Sequence, residues 1–177
     1  IIGVCTKSGD TLFYPLVENF HKNGILDISI APYEDLELQK KAESYHRRIS
    51  KELKYVGVLV IEFFLTDNGE LIANEMAPRV HNSGHWTNEG ANISQFEAHI
   101  MAISGMSIEK ILVKGNSGML NILSKMPDNK IIQNNSNIKL YDYGKSERLN
   151  RKLGHITLTC DNKETLISKL SGLREKI

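Results

Sequence analysis

Residues 58–76 read as a hairpin from their pattern alone. Val58, Leu59, Val60, Ile61, Phe63 and Phe64 are branched or aromatic and predict a strand over 58–66. Asp67-Asn68-Gly69 tolerates positive φ and reverses the chain, and Leu71, Ile72, Ala73 and Met76 carry it back over 71–76. One carboxylate interrupts each apolar run, Glu62 on the outgoing strand and Glu75 on the returning one. The register predicts that they face each other on one side of a sheet.

The remaining pattern is mixed. Ile1-Ile2-Gly3-Val4-Cys5 reads as a strand that Gly9-Asp10 turns into a second over 11–15. Leu36, Leu38, Ala42, Tyr45, Ile49 and Leu53 recur at roughly helical intervals and predict a helix within 33–54. A polar loop spans 80–91. Ser94-Gln95-Phe96-Glu97 is a capping box, so a helix is expected over 95–103, stopped by Gly105. Beyond 111 the texture changes to short strands over 119–123, 138–143 and 155–159, and Asp161-Asn162-Lys163-Glu164 caps a terminal helix with Leu166, Ile167, Leu170 and Leu173 on one side. The expected class is α+β, divided into residues 1–111 and a smaller β-rich unit over 112–177.

Composition narrows the partners. The 177 residues are 41% hydrophobic and 24% charged, as in ordinary globular proteins, and the formal net charge of +1 provides no global field to recruit nucleic acid or membrane. Any anion site must be local. No apolar run approaches the ~20 residues of a membrane span. Cys5 and Cys160 stand far apart without metal spacing, the pattern of idle thiols in a reducing compartment, which makes the cytoplasm the expected location. The chain opens inside a strand without an initiator Met and is expected to have lost what preceded it.

A carboxylate among apolar neighbours is costly unless paired or metal-bound, and hard cations such as Mg2+ take oxygen ligands. Glu62 and Glu75 are therefore candidate metal ligands, with Asn74 beside them. Arg79 adds an anion-binding fork, the combination needed to handle a metal-bound phosphate. The loop Arg79-Val80-His81-Asn82-Ser83-Gly84-His85-Trp86-Thr87 concentrates donors, with Gly84 expected to let backbone approach a ligand. His81 and His85 lack the HExxH pattern of a helical zinc site. Lys145, Arg148, Arg151 and Lys152 form a basic segment suited to a phosphate monoester, with too few aromatics for a nucleic-acid platform.

Taken together these residues resemble the ATP-grasp superfamily, and within it the 5-(carboxyamino)imidazole ribonucleotide synthases. The resemblance is carried by Asn74-Glu75-Met76-Ala77-Pro78-Arg79 running into the loop to Thr87, and by Ile93 to Glu97. Phe13-Tyr14-Pro15, Glu18-Asn19, His21, Gly24-Ile25-Leu26, Tyr143-Gly144-Lys145 and Arg151 to His155 add to it. It implies the C-terminal half of an ATP-grasp domain, an antiparallel sheet with flanking helices, followed by a small terminal domain. The implied reaction joins bicarbonate to 5-aminoimidazole ribonucleotide through carboxyphosphate, with ATP and Mg2+, in purine biosynthesis. By resemblance Glu62 and Glu75 hold the metal and, with Asn74 and Phe64, the nucleotide. Arg79, His81 and Asn82 hold bicarbonate and carboxyphosphate, and Lys145, Arg151 and Lys152 grip the ribonucleotide's phosphate. A homodimer is implied for the full-length enzyme.

Two departures stand out. Family members carry a preceding domain and the first half of the grasp, so this piece alone is expected to be inactive. Asn150 occupies a position where the family more often has Gly. Two alternatives stay open: another ATP-grasp carboxylase or ligase, such as a biotin carboxylase or a glycinamide ribonucleotide synthase, and a non-catalytic nucleotide-binding half-module.

Overall fold

The computed structural model describes residues 1–128 and 137–177, whose strands form two antiparallel sheets. In the first, β1 (Ile2–Cys5) lies between β2 (Thr11–Phe13) and β5 (Gly57–Leu65), and β6 (Leu71–Ala77) completes the order β2-β1-β5-β6. The predicted hairpin is β5–β6, with Glu62 and Glu75 as cross-strand partners. The register then slips, because Phe63 pairs with Ala73 and leaves Asn74 as the extra residue of a bulge. Neighbours on a regular strand point to opposite faces, and a bulge relaxes that rule. Asn74 and Glu75 can therefore serve the same side.

The second sheet contains two strands that the sequence pattern leaves unassigned. β3 (Glu18–Lys22) and β4 (Ile25–Ala31) pair with β7 (Asn116–Leu123), β9 (Lys152–Cys160) and β8 (Ile138–Asp142) in the order β3-β4-β7-β9-β8. Asn23 and Gly24, at φ of 52° and 74°, make the two-residue turn between β3 and β4. Both central residues of this tight hairpin have positive φ, which is why Asn-Gly serves there.

Beside the expected division at 111/112, two features cross that line. β4 pairs directly with β7, and Asp27 of β4 forms an ion pair with Arg174 of the terminal helix. One core joins both sheets, with Ile2, Val4, Val58 and Val60 packed together with Leu26 and Met119 and with Tyr14 and Trp86. A second core lies under α4 (Lys163–Arg174), where Leu166, Leu170 and Leu173 cover Leu120, Ile156 and Leu158.

Helix α1 (Leu36–Glu52) is capped by Asp35, whose carboxylate accepts from Leu38 N at 2.8 Å. Its buried stripe differs from the expected one. Ala42, His46 and Ser50 face inward, whereas Leu36 and Leu53 are exposed. His46 is tolerated because its Nε2 meets the Leu59 carbonyl at 3.0 Å, and burial pushes its pKa down to about 4, keeping the ring neutral. The short helix α2 (Thr87–Gly90) precedes α3 (Gln95–Ser104), which has the predicted ends: the Ser94 hydroxyl accepts from Glu97 N, and Gly105 closes it at φ 77°. Among the described residues no helix is long and apolar enough to cross a membrane.

Candidate functional site

Glu62 and Glu75 meet at His81. The His81 ring lies with Nδ1 3.6 Å from a Glu62 oxygen and Nε2 3.0 Å from a Glu75 oxygen. One donor atom from each of the three residues falls within 4.8 Å of the other two. The partners differ in burial, the Glu62 side chain being 10% exposed and that of Glu75 53%. Burial pushes the His81 pKa below its ordinary value, while Glu62 and Glu75 pull the other way by favouring the imidazolium.

His81 is held from behind by Gln95. This fully buried amide accepts from His81 N at 2.9 Å and donates to the His81 carbonyl at 2.7 Å. Gly84 packs against it so closely that a Cβ would sit 2.3 Å from Gln95 Oε1. Gly84 thus makes room for the amide that fixes His81, and the expectation that it admits a ligand to the backbone is corrected. On the other side, Asn19 Nδ2 of β3 donates to Glu62 Oε1 at 3.3 Å.

A cavity of about 700 Å³ opens above this cluster. Glu62, Phe64, Asn74, Glu75 and His81 line one wall, and Lys145, Asn150, Arg151 and Lys152 line the other. A smaller cavity of about 400 Å³ shares Glu62, Phe64 and Asn74 and adds Asn19 and Tyr33. Phe64, 60% exposed, stands where the two adjoin. The basic wall is pre-arranged in three ways. Lys145 Nζ lies 4.9 Å from the Tyr143 ring centre, and Arg151 Nη1 donates to Ser146 Oγ at 2.9 Å. Asn150 adopts φ 59°, a conformation that glycine and asparagine tolerate best, so Asn replaces Gly here without loss of the turn. Burial lowers the Lys152 pKa, Glu62 and Glu75 oppose this, and Arg79 and Lys145 add to it.

Arg79 and Asn82 do not line this cavity. Arg79 is exposed, its guanidinium donating to the Val80 carbonyl at 2.9 Å, although its charge still acts on His81 and Lys152. Asn82 opens the short 3-10 turn Asn82–Gly84, and its buried Nδ2 has no partner among the described residues. His85 leaves the polar cluster altogether. It stacks between Phe96 at 5.5 Å and His155 at 4.5 Å, and His155 stacks in turn on Tyr141 at 4.5 Å. Burial pushes His85 down to about 4 and His155 to about 3, so both rings are neutral. Tyr143 OH meets His155 Nδ1 at 2.7 Å, and the Glu89 carboxylate accepts from Tyr141 and Thr157.

Two carboxylates with an imidazole between them fit a divalent cation, and the predominance of oxygen favours a hard one. The cations opposite suit phosphate. Three supporting residues are given no site role by the sequence: Asn19 and Gln95 enter there only within the stretches that carry the resemblance, and Ser29 not at all.

Comparison with known proteins gives the family. The model for the ATP-grasp domain matches residues 1–96, and that for the phosphoribosylaminoimidazole carboxylase C-terminal domain matches residues 117–169. The N5-carboxyaminoimidazole ribonucleotide synthase of Pseudomonas aeruginosa is 44% identical over 177 residues, covering 100% of this chain and 49% of that protein. The corresponding synthase of Aquifex aeolicus is 42% identical, covering 99% of this chain and 50% of its own length. Among solved structures, the N5-carboxyaminoimidazole ribonucleotide synthetase of Thermus thermophilus superposes with a TM-score of 0.94 at 45% identity, over 99% of this chain and 49% of that one. An Aspergillus clavatus synthase, solved with ADP and 5-aminoimidazole ribonucleotide, gives 0.87 at 32% identity over 97% of this chain and 50% of its own. The chain spans about half the length of the curated relatives it matches. With the domain model matched across both sheets' N-terminal strands and the carboxylate hairpin, the chain belongs to the ATP-grasp family.

Proposed function

We propose that this chain is part of an ATP-dependent ligase that carboxylates 5-aminoimidazole ribonucleotide with bicarbonate by way of carboxyphosphate, in purine biosynthesis. The observation that carries this reading is the single cavity with a carboxylate pair on one wall and Lys145, Arg151 and Lys152 on the other. Such a cavity handles a metal-bound polyphosphate and a second phosphate ester side by side. The A. clavatus relative, solved with ADP and the ribonucleotide, supports the same pair of ligands. The complete enzyme is proposed to be cytoplasmic and homodimeric.

In this reading Glu62 and Glu75 hold Mg2+, which when bound neutralises the ATP phosphates. Phe64 and Asn74 sit against the nucleotide. Bicarbonate oxygen attacks the terminal phosphorus and ADP leaves; the ribonucleotide's amine then attacks the carboxyl carbon and inorganic phosphate leaves. Arg79, His81 and Asn82 are assigned to the negative charge of carboxyphosphate, His81 from the cavity lining and Arg79 and Asn82 from the residues flanking it. Lys145 and Arg151, with Lys152, hold the ribonucleotide's own phosphate away from the reacting amine.

The test is a chimera joining the N-terminal half of the P. aeruginosa relative to this chain. Supplied with ATP, Mg2+ and labelled bicarbonate, it is expected to release phosphate and fix label only when the ribonucleotide is present. A folded chimera that hydrolyses ATP without fixing label would exclude this reaction.

A further inference from the structure

The support behind Glu62 comes from the other sheet. Asn19 on β3 and Ser29 on β4 are cross-strand partners, and Ser29 Oγ donates to Asn19 Oδ1 at 2.7 Å. Ser29 is fully buried. Because the hydroxyl proton occupies the amide's oxygen, the amide's NH2 must turn outward, and it donates to Glu62 Oε1 at 3.3 Å. His81 Nδ1 approaches the same oxygen at 3.6 Å. Asn19 is thus the hydrogen-bond donor to Glu62 Oε1, whereas His81 Nδ1 is hydrogen-bonded to Ser83 Oγ at 2.9 Å. Phe63 and Phe64, the next residues on β5, offer the carboxylate no side-chain donor.

We propose that Asn19, locked by Ser29, is a positioning residue for the divalent cation: it fixes the Glu62 carboxylate so that one defined oxygen meets the ion. The inference rests on the metal role proposed above for Glu62 and Glu75. It also gives the five-stranded sheet a share in a site whose ligands lie on the four-stranded one. Partners that orient a metal ligand are worth about 10- to 100-fold in metal affinity.

The test uses the chain itself and Mn2+ as probe, with binding read from paramagnetic broadening of backbone amides around Glu62 and Glu75. Asn19→Ala is expected to weaken Mn2+ binding about tenfold, and Ser29→Ala to weaken it less, by freeing the amide to flip. Glu62→Gln supplies the decisive background. If Asn19 acts through Glu62, Asn19→Ala should add little there, whereas an unrelated structural role predicts additive losses. Equal Mn2+ affinity in wild type and Asn19→Ala, or full additivity with Glu62→Gln, overturns the inference and leaves the metal site standing. Absence of localised broadening in the wild-type chain removes both. Spectra of Asn19→Ala that retain the wild-type dispersion separate lost positioning from lost folding.

Discussion

His81 and His85 belong to one loop and end in opposite surroundings. His81 turns toward Glu62 and Glu75 in the lining of the larger cavity, where burial, Arg79 and Lys152 disfavour its imidazolium and the two carboxylates favour it. His85 turns into a seam of stacked rings that joins α3 to β8 and β9. The same side chain thus serves charge handling in one place and packing in the other. Residue type alone does not divide the two; the direction of the backbone does, and Gln95 sets it by clamping His81 while also contacting His85 Nδ1 at 3.1 Å.

If the division is real, substitutions in the two regions should fail in different ways. In the chimera, Glu75→Gln removes a charge at nearly constant volume and is expected to lower the catalytic constant about a thousandfold, with thermal stability unchanged, because metal and phosphate charge would lose their counterpart. A Tm drop large enough to explain the lost rate would move Glu75 into the structural class. His155→Ala should do the reverse. A buried ring is deleted from the seam, and a loss of about 3 kcal/mol in unfolding free energy is expected, read by urea denaturation of the chain. Unchanged stability would mean that the stack is ornamental.

The cavity's two walls differ as well. Lys145→Ala with Arg151→Ala is expected to raise the ribonucleotide KM of the chimera about tenfold or more, with little change in the catalytic constant. A phosphate remote from the reacting amine is held equally before and during reaction. Arg79→Ala should depress the catalytic constant instead. Equal effects from the two changes would erase the distinction between the walls.

A smaller effect separates the histidines by pH. His46, His85 and His155 have native pKa values of about 4, 4 and 3, against roughly 6.5 when unfolded. Below pH 6.5 the unfolded chain binds protons that the native state refuses. The stability these rings contribute is therefore complete above pH 6.5 and declines as pH falls toward 4, by on the order of 1 kcal/mol per pH unit for each ring. His155→Phe retains the stacking surface and should flatten the slope by one ring's share, measured as Tm between pH 7 and 5.

Much of this was legible beforehand, and the exceptions have local causes. The β5–β6 hairpin and the facing of Glu62 and Glu75 followed from alternation and the Asp-Asn-Gly turn. The capping signals at 94–97 and 161–164 mark the starts of α3 and α4, with Ser94 and Asn162 as the capping residues, because capping is a short-range hydrogen bond. The β3–β4 hairpin was missed although Asn23-Gly24 is a strong turn signal, since Glu18, Asn19, His21 and Lys22 give β3 too little apolar character to read as a strand. That omission hid the pairing of Asn19 with Ser29 and its reach to Glu62. The Asn74 bulge and the role of Gly84 were beyond reach for another reason: each depends on exact register and side-chain packing, which alternation and turn residues do not specify. The stripe on α1 shifted because His46 and Ser50, polar by type, are buried by hydrogen bonding.

The central claim is that one cavity holds a cation on its carboxylate wall and a phosphate ester on its basic wall. A crystal structure of the chimera grown with ADP, Mn2+ and the ribonucleotide tests it most directly. The account predicts an anomalous manganese peak bridging Glu62 and Glu75 and ribonucleotide phosphate density against Lys145 and Arg151. Manganese bound away from both carboxylates, or the ribonucleotide phosphate bound away from the basic wall, would contradict it.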